Sequence, residues 1–210
     1  MQKRIILASQ SPRRKALLDQ MGLSYEILTS NVEETVPANI VEHTSAAQIA
    51  TELARQKAFA VGEELRKNGN NSADELIIIA ADTIVVLEDK LFGKPNTAAE
   101  AKSMLQSLCG KTHQVYTGVA LLVYNFGQGT MQCLTESESS LVSFRKYSDA
   151  EIDAYIDTGE PMDKAGAYAL QGIGGCLVAK IDGCYTNVIG LPMPKVVKML
   201  REVGVAVLGQ

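Results

Sequence analysis

The chain is expected to fold as an α/β protein around a mixed β-sheet, and two features of the sequence carry that expectation. In the first half, apolar segments rich in β-branched residues alternate with helices marked by capping residues. Parallel neighbours need such a crossover helix between them. In the second half, His113–Tyr124 and Met131–Phe144 flank Asn125–Gly129 and read as a long hairpin, which is antiparallel. Both kinds of pairing in one chain exclude a purely parallel sheet. At 210 residues the chain fits one domain, or one chain folded as two lobes around a cleft.

Taken in order, Lys3–Ala8 is a short strand with an Ile5-Ile6-Leu7-Ala8 body. Ser11-Pro12 then opens a helix, because serine caps well and proline suits the first helical position. Leu17, Leu18 and Met21 line its buried side and Gly22 ends it. Arg13 and Arg14 therefore fall in the first helical turn, where the helix dipole already presents positive charge. Free amides, the hydroxyls of Ser9 and Ser11 and two guanidinium groups there form a phosphate-binding surface, or else a basic surface turn. Ser24–Thr29 reads as a second strand. It leads to a proline-ended loop carrying Glu33 and Glu34, which are solvated or supply a carboxylate to a cation.

Ser45-Ala-Ala-Gln48 is a capping box that opens a helix to about Arg66. Its apolar stripe is Ala50, Leu53, Ala54, Val61 and Leu65, with Lys57 in the middle. That lysine either snorkels to solvent or points inward at a charged site. The stretch Leu76–Pro95 follows. Leu76–Ala81 is a buried strand by composition, and Ile84–Leu87 resumes the apolar pattern, but Asp82 stands between them. A hidden charge costs several kcal/mol unless something pairs with it. Asp82 is therefore either a strand-end acid satisfied by backbone amides or a carboxylate held for metal or proton chemistry. Gly93-Lys94-Pro95 places a lysine in a tight turn just downstream.

Thr97-Ala-Ala-Glu100 and Ser148-Asp-Ala-Glu151 cap two further helices, ended by Gly110 and Gly159. Asp163–Gly175 is glycine-rich and aperiodic, a backbone able to approach a ligand closely or simply a loop. Cys176–Ile181 reads as a strand. Asp182-Gly183 is a hairpin signal with Cys184–Ile189 returning as its partner, and the last helix places Met193, Val197 and Leu200 on one face.

The formal net charge of −4 implies no affinity for nucleic acid or anionic membranes. No apolar run approaches a membrane span, and no signal-peptide pattern is seen, so a cytoplasmic protein is expected. The four cysteines form no CxxC pair and, with two histidines, make no zinc site. They read as reduced thiols, mostly filling the core.

The segments LASQSPRRKALL, Glu33-Glu34-Thr35, AADTIVV, GKP, HQVYTGVAL and DKAGAYALQGIGGCLVAKIDGCYTNVIGLPM, in that order, resemble the Maf family of nucleoside triphosphate pyrophosphatases from Ile5 to about Met199. The resemblance implies an ITPase-like fold, an elongated mixed sheet flanked by helices with two lobes around a nucleotide cleft. It implies a homodimer and Mg²⁺- or Mn²⁺-dependent hydrolysis of a nucleoside triphosphate to monophosphate and pyrophosphate. Position by position it makes Asp82 the catalytic carboxylate and Glu34, with Asp82, the metal site. Ser9, Arg13 and Arg14 match its phosphate-binding turn, Lys57 and Lys94 its cleft lysines, and Gln171 a substrate-contacting position. Arg13, Thr83 and Gln171 match the three positions that mark the dTTP/UTP subgroup rather than 7-methyl-GTP hydrolases. A nucleotide-binding regulator of septum formation with little turnover stays open beside this. A dehalogenase-like phosphatase is disfavoured, because the second Asp it needs two residues after Asp82 is replaced by Ile84.

Overall fold

The structure is a computed structural model that describes residues 3–29, 44–68, 75–126 and 128–207. β1 (Lys3–Leu7), α1 (Pro12–Gln20) and the short β2 (Glu26–Ile27) come first, then α2 (Ala46–Lys67), β3 (Glu75–Leu87) and β4 (Lys90–Phe92). α3 (Ala98–Leu108) precedes the long β5 (Thr112–Asn125) and β6 (Thr130–Phe144). After α4 (Asp149–Asp157) come 3-10 turns at Glu160–Asp163, Ala165–Ala167 and Ile173–Leu177, then β7 (Val178–Gly183), α5 (Tyr185–Ile189) and α6 (Met193–Glu202). The seven strands make one mixed sheet in the order β2-β1-β3-β5-β6-β7, with β4 paired to β3. β1 runs parallel to β2 and β3, whereas β4 and β7 run antiparallel to β3 and β6. The mixed α/β architecture expected from the sequence is therefore present.

The chain forms two compact units, one of Met1–Asp82, Thr117–Glu138 and Gly190–Gln210, the other of Thr83–Tyr116 and Ser139–Ile189. In the first, Ala54, Ala58, Val61 and Leu65 of α2 pack on Leu76, Ile78 and Ala80 of β3 and on Ala120 and Leu122 of β5. Alternate strand residues share a face, so 76, 78 and 80 form one row towards α2. Ile77 and Ile79 on the other face are fully buried as well, which is why this strand reads as an unbroken apolar run. The helix starts as its sequence dictates: Ser45 Oγ accepts from Gln48 N, and Gln48 Oε1 accepts from Ser45 N. It lies close because β5 carries glycine beneath it. A Cβ on Gly118 would sit 2.3 Å from the Ala50 carbonyl carbon and the Thr51 nitrogen.

In the second unit, α3 and α4 pack around Val85, Val115, Phe144 and Tyr168. His113 of β5 is buried among them, edge-on to Phe144 and Tyr168 with ring centroids 4.8 and 5.4 Å away. Its Nε2 lies 2.9 Å from the Tyr168 hydroxyl, while Nδ1 has no hydrogen-bond partner among the described residues. Burial pulls its pKa down to about 4.

Several expectations need correction. Asp82 does not end a strand, since β3 runs continuously from Glu75 to Leu87. Ser24–Thr29 contracts to the exposed pair Glu26–Ile27. Cys184–Ile189 is not a returning strand but leads into helix α5. There the Asn187 side-chain amide donates to the Val115 carbonyl at 3.0 Å and to Ser140 Oγ at 2.9 Å, and Ser140 Oγ donates to the Cys184 carbonyl at 2.9 Å. These long-range bonds override the local Asp-Gly turn signal. β7 starts at Val178, after a 3-10 turn. In α6 the buried residues are Val196, Met199 and Leu200, so the face is rotated from the one the Met193/Val197 spacing suggested. At α3 the box is only half made: Thr97 caps Glu100 N, but Glu100 Oε2 accepts from Asn96 N. None of the cysteines is fully buried, and Cys176 is exposed.

Two predictions follow from this packing. Gly118→Ala drives a methyl into backbone and is expected to lower stability by about 3 kcal/mol in urea unfolding; a loss under about 0.5 kcal/mol would contradict the close approach. His113 has a folded-state pKa near 4 against an ordinary 6.5, so the unfolded chain binds more protons between those values. Stability is therefore expected to fall by about 2 kcal/mol from pH 7 to pH 5, a slope that His113→Phe abolishes.

Candidate active site

The residues from which a site can be built start with Asp82. It continues the row Leu76, Ile78, Ala80 on the face of β3 that meets α2, by the two-residue period of the strand. An aspartate in that row would be poorly solvated, and a cation meets it there. Lys57 Nζ lies 2.6 Å from Asp82 Oδ1, with the two side chains 16% and 15% exposed. Lys57 sits between Ala54 and Ala58, two of the small residues by which α2 rests on the sheet. Lys57 thus points inward rather than to solvent, and Asp82 is met by its ammonium within a continuous strand.

Ser9, Arg13 and Arg14 lie where β1 gives way to α1. β1 ends with Leu7 beside Ile79, and Ala8 N still donates to the Ile79 carbonyl at 2.8 Å. The loop thus leaves the sheet three residues short of Asp82 on the neighbouring parallel strand, roughly 10 Å of strand. Loops at the carboxyl ends of parallel strands are the usual ligand-binding edge of such sheets. Within the loop, Ser9 Oγ accepts from Ser11 N at 3.2 Å and from Arg14 Nη1 at 3.3 Å. Ser11 Oγ caps Arg14 N at 3.4 Å. Arg14 Nε donates to the Gly190 carbonyl at 2.8 Å. Both hydroxyls and one of the two guanidinium groups are thus partly engaged in holding the loop's shape. Arg13 is half-buried beside them in sequence.

Thr83, Lys94 and Gln171 belong to the second unit. Thr83 is half-buried and, as the next residue of β3, faces away from the Asp82 side. Lys94 is exposed after β4, in a segment held by a bond from Gly166 N to the Gly93 carbonyl of 3.0 Å. Gln171 is exposed between two 3-10 turns. Glu34 lies outside the described residues, and among the described residues no three His, Cys, Asp or Glu side chains cluster to hold a metal.

Two contributors escaped the sequence reading. The Gly190 carbonyl, 176 residues from Arg14, has no sequence signature at all. Gly118 has a weak one, a glycine inside an otherwise apolar strand, which signals close approach of another backbone. Among the described residues, no helix is long and apolar enough to cross a membrane.

Over residues 4–203 the chain matches the family described as Maf-like protein. A protein of Bacillus thuringiensis subsp. konkukian named dTTP/UTP pyrophosphatase is 45% identical over 98% of both chains. A Bacillus cereus protein of the same name is 46% identical over 98% of this chain and 92% of its own. The solved structure of the Staphylococcus aureus Ham1 protein covers 95% of this chain and 99% of its own at 13% identity with a TM-score of 0.48, a likeness too low to add to the assignment. With the family model matching nearly its whole length and relatives 45% and 46% identical over 98% of it, this chain belongs to the Maf family.

Proposed function

We propose that this protein hydrolyses nucleoside triphosphates to the monophosphate and pyrophosphate, with dTTP and UTP as its substrates. The observation that carries the reading is the Asp82–Lys57 pair, an acid set into an apolar row and met by a lysine at 2.6 Å. Packing alone has no use for that arrangement, which costs desolvation that an apolar pair would avoid. The names of the relatives, similar along nearly the whole chain, support the choice of substrates. So do Arg13, Thr83 and Gln171, at the three positions that mark the dTTP/UTP subgroup.

Phosphoryl transfer is governed by positioning and by neutralising phosphate charge. In this reading Asp82 orients or deprotonates the water that attacks the α-phosphorus, the bond to the β-phosphate oxygen breaks, and pyrophosphate leaves. Lys57 fixes the carboxylate and, with Arg13, Arg14 and Lys94, neutralises phosphate oxygens; Ser9 shapes the phosphate loop. Gln171 pairs with a pyrimidine edge, since an amide donates and accepts at once.

The reading includes a divalent ion, Mg²⁺ or Mn²⁺, a cytoplasmic location and a homodimer. The donor set fits such an ion. Asp82 offers hard carboxylate oxygens, with lone pairs beyond the one engaged by Lys57, and Mg²⁺ needs only one or two carboxylates when phosphates complete its shell. Asp82 and Glu34 would hold it, and when bound it would polarise phosphate oxygens as a Lewis acid.

Pyrophosphate release from a panel of UTP, dTTP, CTP and GTP with Mg²⁺ tests the reading. Phosphate without pyrophosphate would point to a phosphatase, and binding without turnover to a regulator. Asp82→Asn is expected to retain nucleotide binding while turnover falls by about 100-fold or more; near-normal pyrophosphate release would remove Asp82 from the mechanism. Lys57→Met leaves that carboxylate without its cation. Its expected cost is about 1–3 kcal/mol in urea unfolding, together with loss of most turnover.

A further inference from the structure

Gln171, Gly172 and Ile173 are all exposed, so side-chain packing does little to hold this loop. Its backbone is nevertheless tied down on both sides. Glu160 Oε1 accepts from the Tyr155 hydroxyl at 2.8 Å and from Gly174 N at 2.9 Å, and Oε2 accepts from Ile173 N at 3.1 Å. The Tyr155 oxygen in turn accepts from Ala169 N at 3.2 Å. The chain thus enters the loop on Tyr155 and leaves it on Glu160. Glycines let it draw close. Gly172 has φ +113°, and a Cβ there would lie 2.5 Å from Glu160 Oε2; a Cβ on Gly174 would lie 2.4 Å from the Tyr155 oxygen.

A charged acceptor makes shorter and stronger hydrogen bonds than a neutral one, so this carboxylate is an effective post. Burial pushes the Glu160 pKa up. The Gly174 N–H, the Tyr155 hydroxyl and the Ile173 N–H outweigh that and bring it below the ordinary value, so the group is ionised at neutral pH. At its far end the Tyr155 ring is buried in the core of the same unit, which anchors the post.

The amide of Gln171 carries one donor side and one acceptor side. Uracil and thymine present a ring N–H beside a carbonyl, whereas cytosine presents a ring nitrogen acceptor beside an amino group. A rotated amide satisfies either edge. Glutamine alone therefore cannot separate UTP from CTP; the approach from which it meets the base must also be restricted. We propose that Tyr155 and Glu160 are positioning residues for nucleotide selectivity: by fixing the backbone from Ala169 to Gly174 they restrict the Gln171 amide to the approach that reads uracil and thymine. The proposal rests on the reading of Gln171 as a base contact.

The test is kcat/KM for UTP, dTTP, CTP and GTP in the wild type, Glu160→Gln, Tyr155→Phe, Gln171→Ala and the double variant Glu160→Gln/Gln171→Ala, with thermal melts alongside. Glu160→Gln is expected to lower the UTP-to-CTP ratio about tenfold, mainly through KM for UTP, and Tyr155→Phe to move it the same way by less. In the Gln171→Ala background the effect of Glu160→Gln on the ratio should vanish, because the two residues act through one another. A merely structural staple would lower kcat/KM for all four nucleotides by one common factor and leave the ratio unmoved in both backgrounds, which overturns the proposal. Should Glu160→Gln fail to fold, Tyr155→Phe, which keeps the carboxylate, decides by the same ratio. If Gln171→Ala shifts selectivity but neither positioning variant does, only the positioning role falls. If Gln171→Ala shifts nothing, the base-contact reading falls and takes this proposal with it.

Discussion

Helix α2 lies on the sheet with nothing but hydrogens between its Ala50–Thr51 backbone and Gly118 of β5. That contact sets the height of the whole helix. Ala54 and Ala58 keep the approach close further along, and Gly62 repeats the device, since a Cβ there would lie 2.7 Å from the Tyr124 oxygen. A helix held farther off would let Lys57 extend towards water, as long cationic side chains do on a helix flank. Held close, its ammonium is within reach of the β3 face, where Asp82 takes the next place after Leu76, Ile78 and Ala80. The charged pair is therefore a consequence of small residues on two elements, none of which carries any chemistry of its own.

The turn from β1 into α1 shows a similar dependence. Two arginines at a helix N-terminus oppose the helix dipole, and that cost is met by fixing one of them. Arg14 is held by the Gly190 carbonyl and the Ser9 hydroxyl, so its position does not rest on an anion being present. A guanidinium held by two partners in this way keeps little conformational freedom. In the second unit, polar groups do comparable work in the glycine-rich run after α4. Tyr168 is pinned through His113, and Ala169, Ile173 and Gly174 through Tyr155 and Glu160. A segment with no apolar period is thereby given one conformation by hydrogen bonds that converge on few side chains.

Most of the fold was legible. Serine and threonine caps, glycine stops and apolar periods are local signals, and Ser45, Thr97 and Ser148 each cap the helix their spacing implied. The long hairpin was equally plain. What failed did so where local chemistry was outvoted by distant partners. Asn187 draws Tyr185–Ile189 into a helix beneath Val115 and Ser140, although the preceding Asp-Gly favours a hairpin. The face of α6 was misjudged because Met193, Val197 and Val196 are all apolar, and only the surface they pack against chooses among them.

From sequence alone, this protein's alternation of strands and helices, its family and the improbable acid at position 82 were determined, because each depends on residues close together along the chain or on the order of motifs. Tertiary structure alone decided that Asp82 is met by Lys57, that Arg14 answers to Gly190, and that the Gln171 loop hangs on Glu160. The reason is physical: a charge or an amide takes whatever partner folding brings within about 3 Å, and separation along the chain carries no record of that distance.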